Sequence, residues 1–354
     1  MENANTLTEK SYQNIIIYYF SGTGNSKQVA KWISEFAAAR SIDCKLFDIS
    51  KTDISQLEPL DSNALIIIIS PVHGFNFPKI TLDFIAHFPK GKNKLVLMNT
   101  RAGMKIGSFI TPGLTGIAFI LSSLLLKRKG YKIVGQIPFD MPSNWISIHP
   151  ALNERTVKFI HQKNYDRVKK HSDKIFAGKK DFLALRDLIQ DILIAPISLG
   201  YYLVGRYAFA KTFYASYKCD NCDICIKQCP VKAIEKINNR PYWTFNCESC
   251  MKCMNSCPKR AIETAHGLFI ITIFLISTLS SLILTPLLPE SGINDLIRFL
   301  IVNSVLMAFL WILYKAQHLI IGKKFAGKMI AFTSLTYYKF WGRYKSIPDY
   351  KWKK

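Results

Sequence analysis

Two runs of cysteine carry most of the chemistry that this sequence offers. Each run has the spacing C-x2-C-x2-C-x3-C-P, and together the runs hold eight of the nine cysteines. The eight residues are Cys219, Cys222, Cys225, Cys229, Cys247, Cys250, Cys253 and Cys257. Thiolates are soft ligands that suit iron–sulfur clusters, and this spacing is typical of ligands to [4Fe-4S] clusters. The sequence therefore predicts two such clusters.

Other uses of cysteine fit this spacing less well. A structural zinc site usually has two C-x2-C pairs and no third cysteine three residues later. A disulfide framework needs an oxidising compartment. Only Cys44 is left outside the two runs, and we expect it to be a small buried side chain. The pattern favours metal ligands in a reducing compartment.

The doubled run resembles that of bacterial two-cluster ferredoxins, in which the fourth cysteine of each run ligates the other cluster. The resemblance implies an α+β two-cluster ferredoxin-like domain over residues 213–265. It also implies two crossed ligand sets. The first cysteine set is Cys219, Cys222, Cys225 and Cys257, and the second cysteine set is Cys229, Cys247, Cys250 and Cys253.

A turn rich in Ser, Gly and Thr lies near the other end of the chain. Ile15–Phe20 is an apolar run that predicts a buried strand, and apolar residues recur at helical spacing from Val29 onward. The turn between them consists of Ser21, Gly22, Thr23, Gly24, Asn25 and Ser26. Such a strand–turn–helix presents N–H groups and hydroxyls to an anion. Because the turn lacks the lysine of a nucleoside triphosphate loop and the G-x-G-x-x-G spacing, it favours the phosphate of FMN.

Further apolar runs predict the rest of one sheet. They are Cys44–Ile49 as an edge strand, Leu65–Ser70, Leu95–Asn99 and a strand that begins at Tyr131–Gly135. Helical segments lie between them, which predicts an α/β doubly wound parallel sheet. Ligands of such sheets bind beyond the carboxyl ends of the strands. We therefore expect two further loops to complete the flavin site, with the residues Pro71, Val72, His73, Gly74, Phe75, Asn99, Thr100, Arg101, Ala102 and Gly103. The rings of Phe75 and Trp145 could stack on the flavin or pack against protein, and packing is the favoured interpretation for each.

Residues 14–150 resemble a flavodoxin, since Ser21–Ser26 match the phosphate loop of that family and the loops after Ser70 and Asn99 match its ring-binding loops. Together with the cysteine runs, residues 14–265 resemble the flavodoxin–ferredoxin fusion proteins of bacteria and archaea. The resemblance implies a flavodoxin-like domain that binds FMN and an electron-transfer function. The ring loops differ from those of flavodoxins in carrying His73, Arg101 and Lys105, and such basic groups would favour the anionic reduced flavin.

Apolar runs near the end of the chain predict a C-terminal transmembrane helical hairpin over residues 266–321. Leu268–Leu288 is long enough to span a bilayer, and Phe299–Tyr314 follows as a shorter second run. A soluble helical subdomain is the alternative. Residues 151–212 are expected to be a helical linker, in which Ile192–Gly205 is too short to span and suits a membrane interface.

The charges predict the orientation of this hairpin. Lysine and arginine are concentrated on both sides of it, which places both ends in the cytoplasm. We expect residues 322–354 to be a basic cytoplasmic tail on anionic lipid. Residues 1–13 form a polar N-terminal tail without the features of a secretion signal. The net charge of +23 fits a membrane surface, and we do not expect nucleic acid as a partner.

These features predict an electron-transfer iron–sulfur flavoprotein tethered to the cytoplasmic membrane, with its flavin and iron–sulfur domains on the cytoplasmic side. It would relay electrons between FMN and two [4Fe-4S] clusters to an unidentified redox partner protein. One alternative is a flavin-dependent reductase of a quinone or small substrate at the membrane. Another is a non-catalytic redox-sensing or assembly subunit of a membrane complex. The sequence contains no catalytic triad and no metal-hydrolase motif, so we predict no catalytic side chain.

Overall fold

The computed structural model describes residues 11–57, 63–279, 282, 294–321 and 323–343. These residues belong to two compact units. The first unit combines Met1–Asn144 with Leu152–Leu199, and the second combines Trp145–Ala151 with Gly200–Lys354. Residues 151–212, expected to be a linker, are thus divided between the two units.

Apolar, β-branched runs form the strands of the first unit. They are β1 (Asn14–Tyr19), β2 (Asp43–Asp48), β3 (Leu65–Pro71), β4 (Lys94–Ile106), β5 (Phe109–Thr111) and β6 (Lys132–Pro142). Five of them are parallel in the order β2-β1-β3-β4-β6, and β5 forms an antiparallel hairpin with the end of β4. This is the strand order of flavodoxin-like sheets. The predicted doubly wound parallel sheet is confirmed.

Helices cover both faces of this sheet. They are α1 (Asn25–Ala38), α2 (Lys79–His87), α3 (Ala118–Arg128) and α4 (Glu154–Phe176), and the short helices α5 (Leu188–Leu193) and α6 (Ala195–Gly200) follow. Successive side chains of a strand point to opposite faces. On β1, Ile17 therefore belongs to the core that contains Ile33 of α1, whereas Tyr18 contacts the rings of Phe84 and Phe88 at the other face.

One predicted loop is instead part of a strand. Thr100–Gly103 were expected to follow the third strand as a ring-binding loop, but β4 continues through them to Ile106. The reason is that β6 pairs with β4 along this whole length, from Lys94 opposite Lys132 to Gly103 opposite Pro142. Continued backbone pairing extends both strands beyond their apolar runs.

The second unit contains the cysteine runs among short elements. These elements are α7 (Arg206–Ala210), β7 (Phe213–Ala215), α8 (Ile224–Lys227), β8 (Ile234–Ile237), β9 (Arg240–Trp243), α9 (Lys252–Ser256) and β10 (Ile262–Thr264). β7 pairs with β10, and β8 pairs with β9, both antiparallel. Asn238 and Asn239 join β8 to β9 with φ of 49° and 60°, as a two-residue hairpin turn of type I′ requires.

Three longer helices complete the second unit: α10 (His266–Leu279), α11 (Asp295–Ile320) and α12 (Lys324–Phe332). Within the described residues, α11 is the one continuous helix long and apolar enough to cross a membrane. The bent helices between residues 183 and 210 would be a second candidate if they formed a single broken span. The predicted second run Phe299–Tyr314 lies inside α11. Most of the predicted first run beyond Leu279 lies outside the described residues.

The described part of the C-terminal tail packs against the unit that holds the cysteines. The indole N–H of Trp341 donates to the carbonyl of Ile146 at 2.6 Å, and Arg343 forms an ion pair of 2.7 Å with Glu263. Both side chains of this ion pair are at most 5% exposed. The tail therefore contributes to the core of the second unit.

Candidate redox-cofactor sites

The eight cysteines of the two runs line two separate pockets. The first pocket contains Cys219, Cys222, Cys225 and Cys257. The second contains Cys229, Cys247, Cys250 and Cys253. The linings correspond to the first and second cysteine sets expected from the sequence, with the fourth cysteine of each run in the pocket of the other. Each pocket thus presents the four thiols that one [4Fe-4S] cluster needs.

The backbone of the two runs has the same geometry twice. Asn221 and Ser249 have positive φ at equivalent positions, as do Asp223 and Met251. Left-handed residues of this kind turn the chain sharply, and they let three successive cysteines point inward. Short helices, α8 and α9, follow in each case.

Backbone amides also donate to sulfur at equivalent positions. The amide of Ala233 donates to Cys229 Sγ at 3.2 Å, and that of Ala261 donates to Cys257 Sγ at 3.3 Å. Hydrogen bonds to sulfur stabilise the negative charge of a bound cluster and tune its potential. Burial raises the pKa of Cys225 and Cys250 to about 12 each, so bound iron would be needed to keep these thiols ionised.

The surroundings of the two pockets differ. The first pocket is bordered by Asp220 and Lys259, whose side chains are 44% and 57% exposed and form an ion pair of 3.6 Å. The second is lined by Phe213, Trp243 and Met251, each at most 2% exposed. Burial is one determinant of cluster potential, so the two pockets would give their clusters different potentials.

No group of three His, Cys, Asp or Glu side chains in the described part of the chain is arranged to hold one metal ion.

In the first unit, the turn Ser21–Ser26 lies where β4 and β6 meet. Ser26 Oγ and Thr100 Oγ1 are 2.8 Å apart, and the side-chain amide of Asn25 donates to the carbonyl of Pro142 at 2.9 Å. The amide of Gly24 donates to Ser21 Oγ at 3.1 Å. The structure therefore brings the predicted phosphate loop to the carboxyl ends of the strands, where ligands of such sheets bind.

Gly24 leaves space above this turn. Its φ of 106° is a conformation that side chains disfavour, and a Cβ added there would meet no atom within 4 Å. No side chain caps α1, and its first turn contains no acidic residue. Open space, hydroxyls and a helix N-terminus together fit a phosphate monoester such as that of FMN.

The loop after β3 is held by its own backbone. The amide of Val72 donates to the carbonyl of Thr100 at 3.0 Å, and His73 and Asn76 exchange backbone hydrogen bonds. Phe75, at φ 65°, is half-buried. Its carbonyl accepts from Ser198 Oγ at 2.9 Å. The predicted ring-loop residues Pro71–Phe75 thus lie beside the end of β4, on a fixed backbone.

Arg101 was expected to be a basic group near the flavin ring, but in the structure it is buried and paired with acids. Its side chain is 1% exposed, and it pairs with Asp140 at 2.6 Å and with Asp187 at 2.8 Å. Burial disfavours the guanidinium charge, but these two carboxylates outweigh burial and raise the pKa of Arg101. Because its charge is neutralised by the two acids, Arg101 supplies no free positive charge to a flavin. The Lys105 ammonium lies 4.5 Å from the Phe159 ring centroid.

The acids around Arg101 are the polar residues that the sequence analysis missed. Asp140 also pairs with Arg167 at 3.0 Å and accepts from the amide of Gly113 at 2.9 Å. The sequence did contain a signal for this cluster, because Asp140 is a single charged residue at the end of an apolar strand. A buried acid is rarely unpaired, so a basic partner could have been expected. Asn99, also buried, keeps its Oδ1 without a hydrogen-bond partner.

Trp145, for which the sequence favoured packing over a flavin contact, belongs to the second unit. Its ring lies 5.2 Å from that of Phe209 and 6.1 Å from that of Tyr201. The structure thus places Trp145 in an aromatic cluster of the unit that holds the cysteines.

Comparison with known proteins identifies the cysteine region. Residues 218–262 match the family model described as a 4Fe-4S dicluster domain. This part of the chain is an iron–sulfur domain of the ferredoxin type, with an electron-transfer role. No curated protein matches the chain.

Solved structures similar to this chain include flavodoxins. A flavodoxin from the domain Archaea is 15% identical, with 45% of this chain and 99% of that chain covered and a TM-score of 0.27. The Fusobacterium nucleatum flavodoxin bound to flavin mononucleotide is 15% identical, with 46% and 98% covered and a TM-score of 0.30. Rubredoxin oxygen:oxidoreductase from Desulfovibrio gigas is 14% identical, with a TM-score of 0.33; the match covers 48% of this chain and only 36% of that chain. The fold assignment depends on the strand order described above, not on these similarities.

Proposed function

We propose that this chain is a membrane-tethered iron–sulfur flavoprotein that relays electrons between FMN and two [4Fe-4S] clusters to a redox partner protein. The observation that carries the proposal is the pair of four-cysteine pockets, in a chain that also has an open phosphate loop on a flavodoxin-like sheet. A flavin exchanges two electrons and a cluster exchanges one, so such a chain converts between two-electron and one-electron reactions.

The residues of the chain would bind these cofactors and exclude water from them. The thiols of the first and second cysteine sets would each hold one cluster, and the amides of Ala233 and Ala261 would donate to their sulfurs. Trp243 and Phe213 would keep water from the second cluster. Ser21–Ser26 would hold the phosphate of FMN by hydroxyls and amides.

Three features support the tether. The 26-residue helix α11 is apolar, and only 6% of its most apolar window is buried. On α10, Ile270 and Phe274 are 66% and 70% exposed. On α12, one face presents residues at helical i, i+4 and i+7 positions to solvent: Phe325, Met329 and Phe332. We infer that α10 and α11 insert into the cytoplasmic membrane, that α12 lies at its cytoplasmic surface, and that both cofactor units face the cytoplasm.

The experiment that tests the cofactors is the iron, sulfide and flavin content of the full chain purified anaerobically in detergent. Two clusters and one flavin predict roughly eight iron per chain together with one FMN. Iron for only one cluster, or a chain without FMN after flavin is supplied, would contradict the relay.

The tether is tested separately by fractionation of cells that express the full chain. We expect the protein in membranes washed with high salt or alkaline carbonate. A tag after Lys354 should be digested by protease in inside-out vesicles and protected in intact spheroplasts. Release by salt alone, or the opposite protease result, would reject the spanning hairpin or its orientation.

A further inference from the structure

Lys211 is a buried cation beside the second cysteine pocket. It follows α7, and the residue is 5% exposed. Its ammonium donates to the backbone carbonyl of Trp243 at 2.5 Å, and Trp243 lines that pocket. Burial of a lysine this deeply is unusual and normally requires a compensating partner.

Aromatic rings surround the rest of this ammonium. Its nitrogen lies 4.3 Å from the ring centroid of Phe245 and 4.7 Å from those of Tyr242 and Tyr314. Cation–π contacts of this kind are weak compared with the cost of moving an ammonium from water into a protein interior. The rings therefore offset only part of that cost, and they do not neutralise the charge.

No carboxylate in the described ranges forms an ion pair with Lys211. The groups that favour its charged form are Cys247, one of the proposed cluster ligands, and then Glu235, whose side chain is exposed and screened by water. Lys315 acts on it as a like charge. Burial lowers the pKa of Lys211 to about 8, and a negative group beside it would favour the ammonium. Within the described residues, this buried ammonium therefore has no carboxylate to balance its charge.

The second cysteine pocket supplies a natural counterion. A [4Fe-4S] cluster bound by four thiolates carries net negative charge, and reduction adds one electron to it without making or breaking a bond. Net charge, hydrogen bonds and solvent exposure set the potential of such a cluster. A buried cation favours the more negative, reduced form, and it does so more strongly in a low-dielectric interior than at a surface.

We infer that Lys211 is the counter-charge of the cluster held by Cys229, Cys247, Cys250 and Cys253, and that it raises the reduction potential of this cluster. The inference rests on the proposed binding of two clusters. Among the described residues, the cations near the first cysteine set are more exposed than Lys211. Lys259 pairs with Asp220 and Lys236 with Asp223, and both lysines are more than a third exposed. Arg240, which acts on Cys219, is half-buried and donates to the carbonyls of Ala215 and Ser216. Lys211, at 5% exposed, therefore gives the second set the more deeply buried cation and makes the two clusters unequal.

The test is a redox titration of both clusters in the full-length protein, followed by EPR in detergent under anaerobic conditions. Lys211→Met keeps the length of the side chain and removes its charge, whereas Lys211→Arg keeps the charge. We expect K211M to lower the midpoint potential of one cluster and leave the other unchanged, and K211R to stay near wild type. Variants C222S and C250S assign the two signals to the first and second cysteine sets.

Lys259→Met is the matched control, since it removes an exposed cation beside the first set. It should change either potential much less than K211M does. Unchanged potentials in K211M, equal shifts of both clusters, or an equal shift in K211R would overturn the role of Lys211. Loss of about four iron per chain in K211M but not in K211R would also support this role, because it would show that the second cluster needs the charge of Lys211 to stay bound. Wild-type protein with iron for only one cluster, in the first set, would reject the proposed function and the inference together.

Discussion

Trp243 and Tyr314 are joined by a hydrogen bond in which the backbone amide of Trp243 donates to the phenol oxygen of Tyr314 at 3.0 Å. The same hydroxyl donates to the carbonyl of Phe213 at 3.0 Å, and all three residues are at most 2% exposed. Trp243 and Phe213 line the second cysteine pocket, and Tyr314 lies on α11. One phenol thus connects the wall of a cofactor pocket to the longest helix of its unit.

Tyr314→Phe should destabilise the second cluster. It leaves a buried amide and a buried carbonyl unpaired, and each such group costs about 1–3 kcal/mol. We expect the iron–sulfur absorbance to bleach several-fold faster at a fixed temperature in detergent. Tyr338→Phe is the control, since its hydroxyl donates to the carbonyl of Phe332 in an exposed position. Equal bleaching rates in the two variants would show that the Tyr314 hydroxyl does not support the pocket.

Asp140 and Asp191 should respond in opposite ways to replacement by asparagine. Asp140→Asn removes a carboxylate that pairs with Arg101 and Arg167, and breaking a buried ion pair costs about 3–5 kcal/mol. We expect a large fall in the unfolding temperature of the first unit by circular dichroism. A fall no larger than that of a surface substitution would mean that Asp187 alone can balance Arg101.

Asp191→Asn is the matched variant. Burial raises the pKa of Asp191, although the amide of Gly116 donates to its Oδ1 at 2.8 Å. A raised pKa means that the folded state binds the proton more tightly than the unfolded state, so this group lowers stability as the pH rises above its ordinary pKa. Asparagine keeps the acceptor and removes the charge. We expect equal or higher stability at pH 7; a marked loss would contradict this.

The sequence predicted what local spacing determines. The cysteine runs and the apolar strands could be identified because their signals lie within a few residues of each other. The environment of Arg101 could not, since Asp140 and Asp187 are 39 and 86 residues away. The extension of β4 through Thr100–Gly103 depends in the same way on pairing with a distant strand.

The C-terminal tail shows the same limit. Its lysines and aromatic residues predicted a lipid-bound segment, and that prediction still applies to the exposed face of α12. The indole of Trp341 and the guanidinium of Arg343 instead have partners in the second unit, Ile146 and Glu263. Periodicity and composition do not reveal partners that are 80 to 195 residues away.

His161 should make the first unit sensitive to acid. Burial lowers its pKa from 6.5 to about 4, and its ring packs edge-on against Trp32 at 5.8 Å. Below pH 6.5, His161 binds a proton in the unfolded chain but stays neutral in the folded chain. The stability of the folded state therefore falls as the pH drops towards 4. The difference between these pKa values corresponds to on the order of 3 kcal/mol.

His161→Phe keeps an aromatic ring beside Trp32 and removes the titration. We expect chemical unfolding of the first unit to depend less steeply on pH between 4 and 6.5 in this variant. Acid also removes iron–sulfur clusters, but it does so in wild type and variant alike. The difference between their pH dependences therefore reports the contribution of His161. If the stability of the variant and of the wild type depended equally on pH, the pKa of His161 would not be lowered by folding.

The crossed ligand sets predict which cysteine variants behave alike. Cys222 and Cys257 line one pocket, although they belong to different runs, and Cys250 lines the other. Cys222→Ser and Cys257→Ser should therefore remove the same EPR signal, and Cys250→Ser should remove the other. Cys44→Ser, far from both runs in sequence, should keep both signals. If C257S and C250S lost the same signal while C222S lost the other, each run would hold its own cluster, and the pockets would have to rearrange when iron binds.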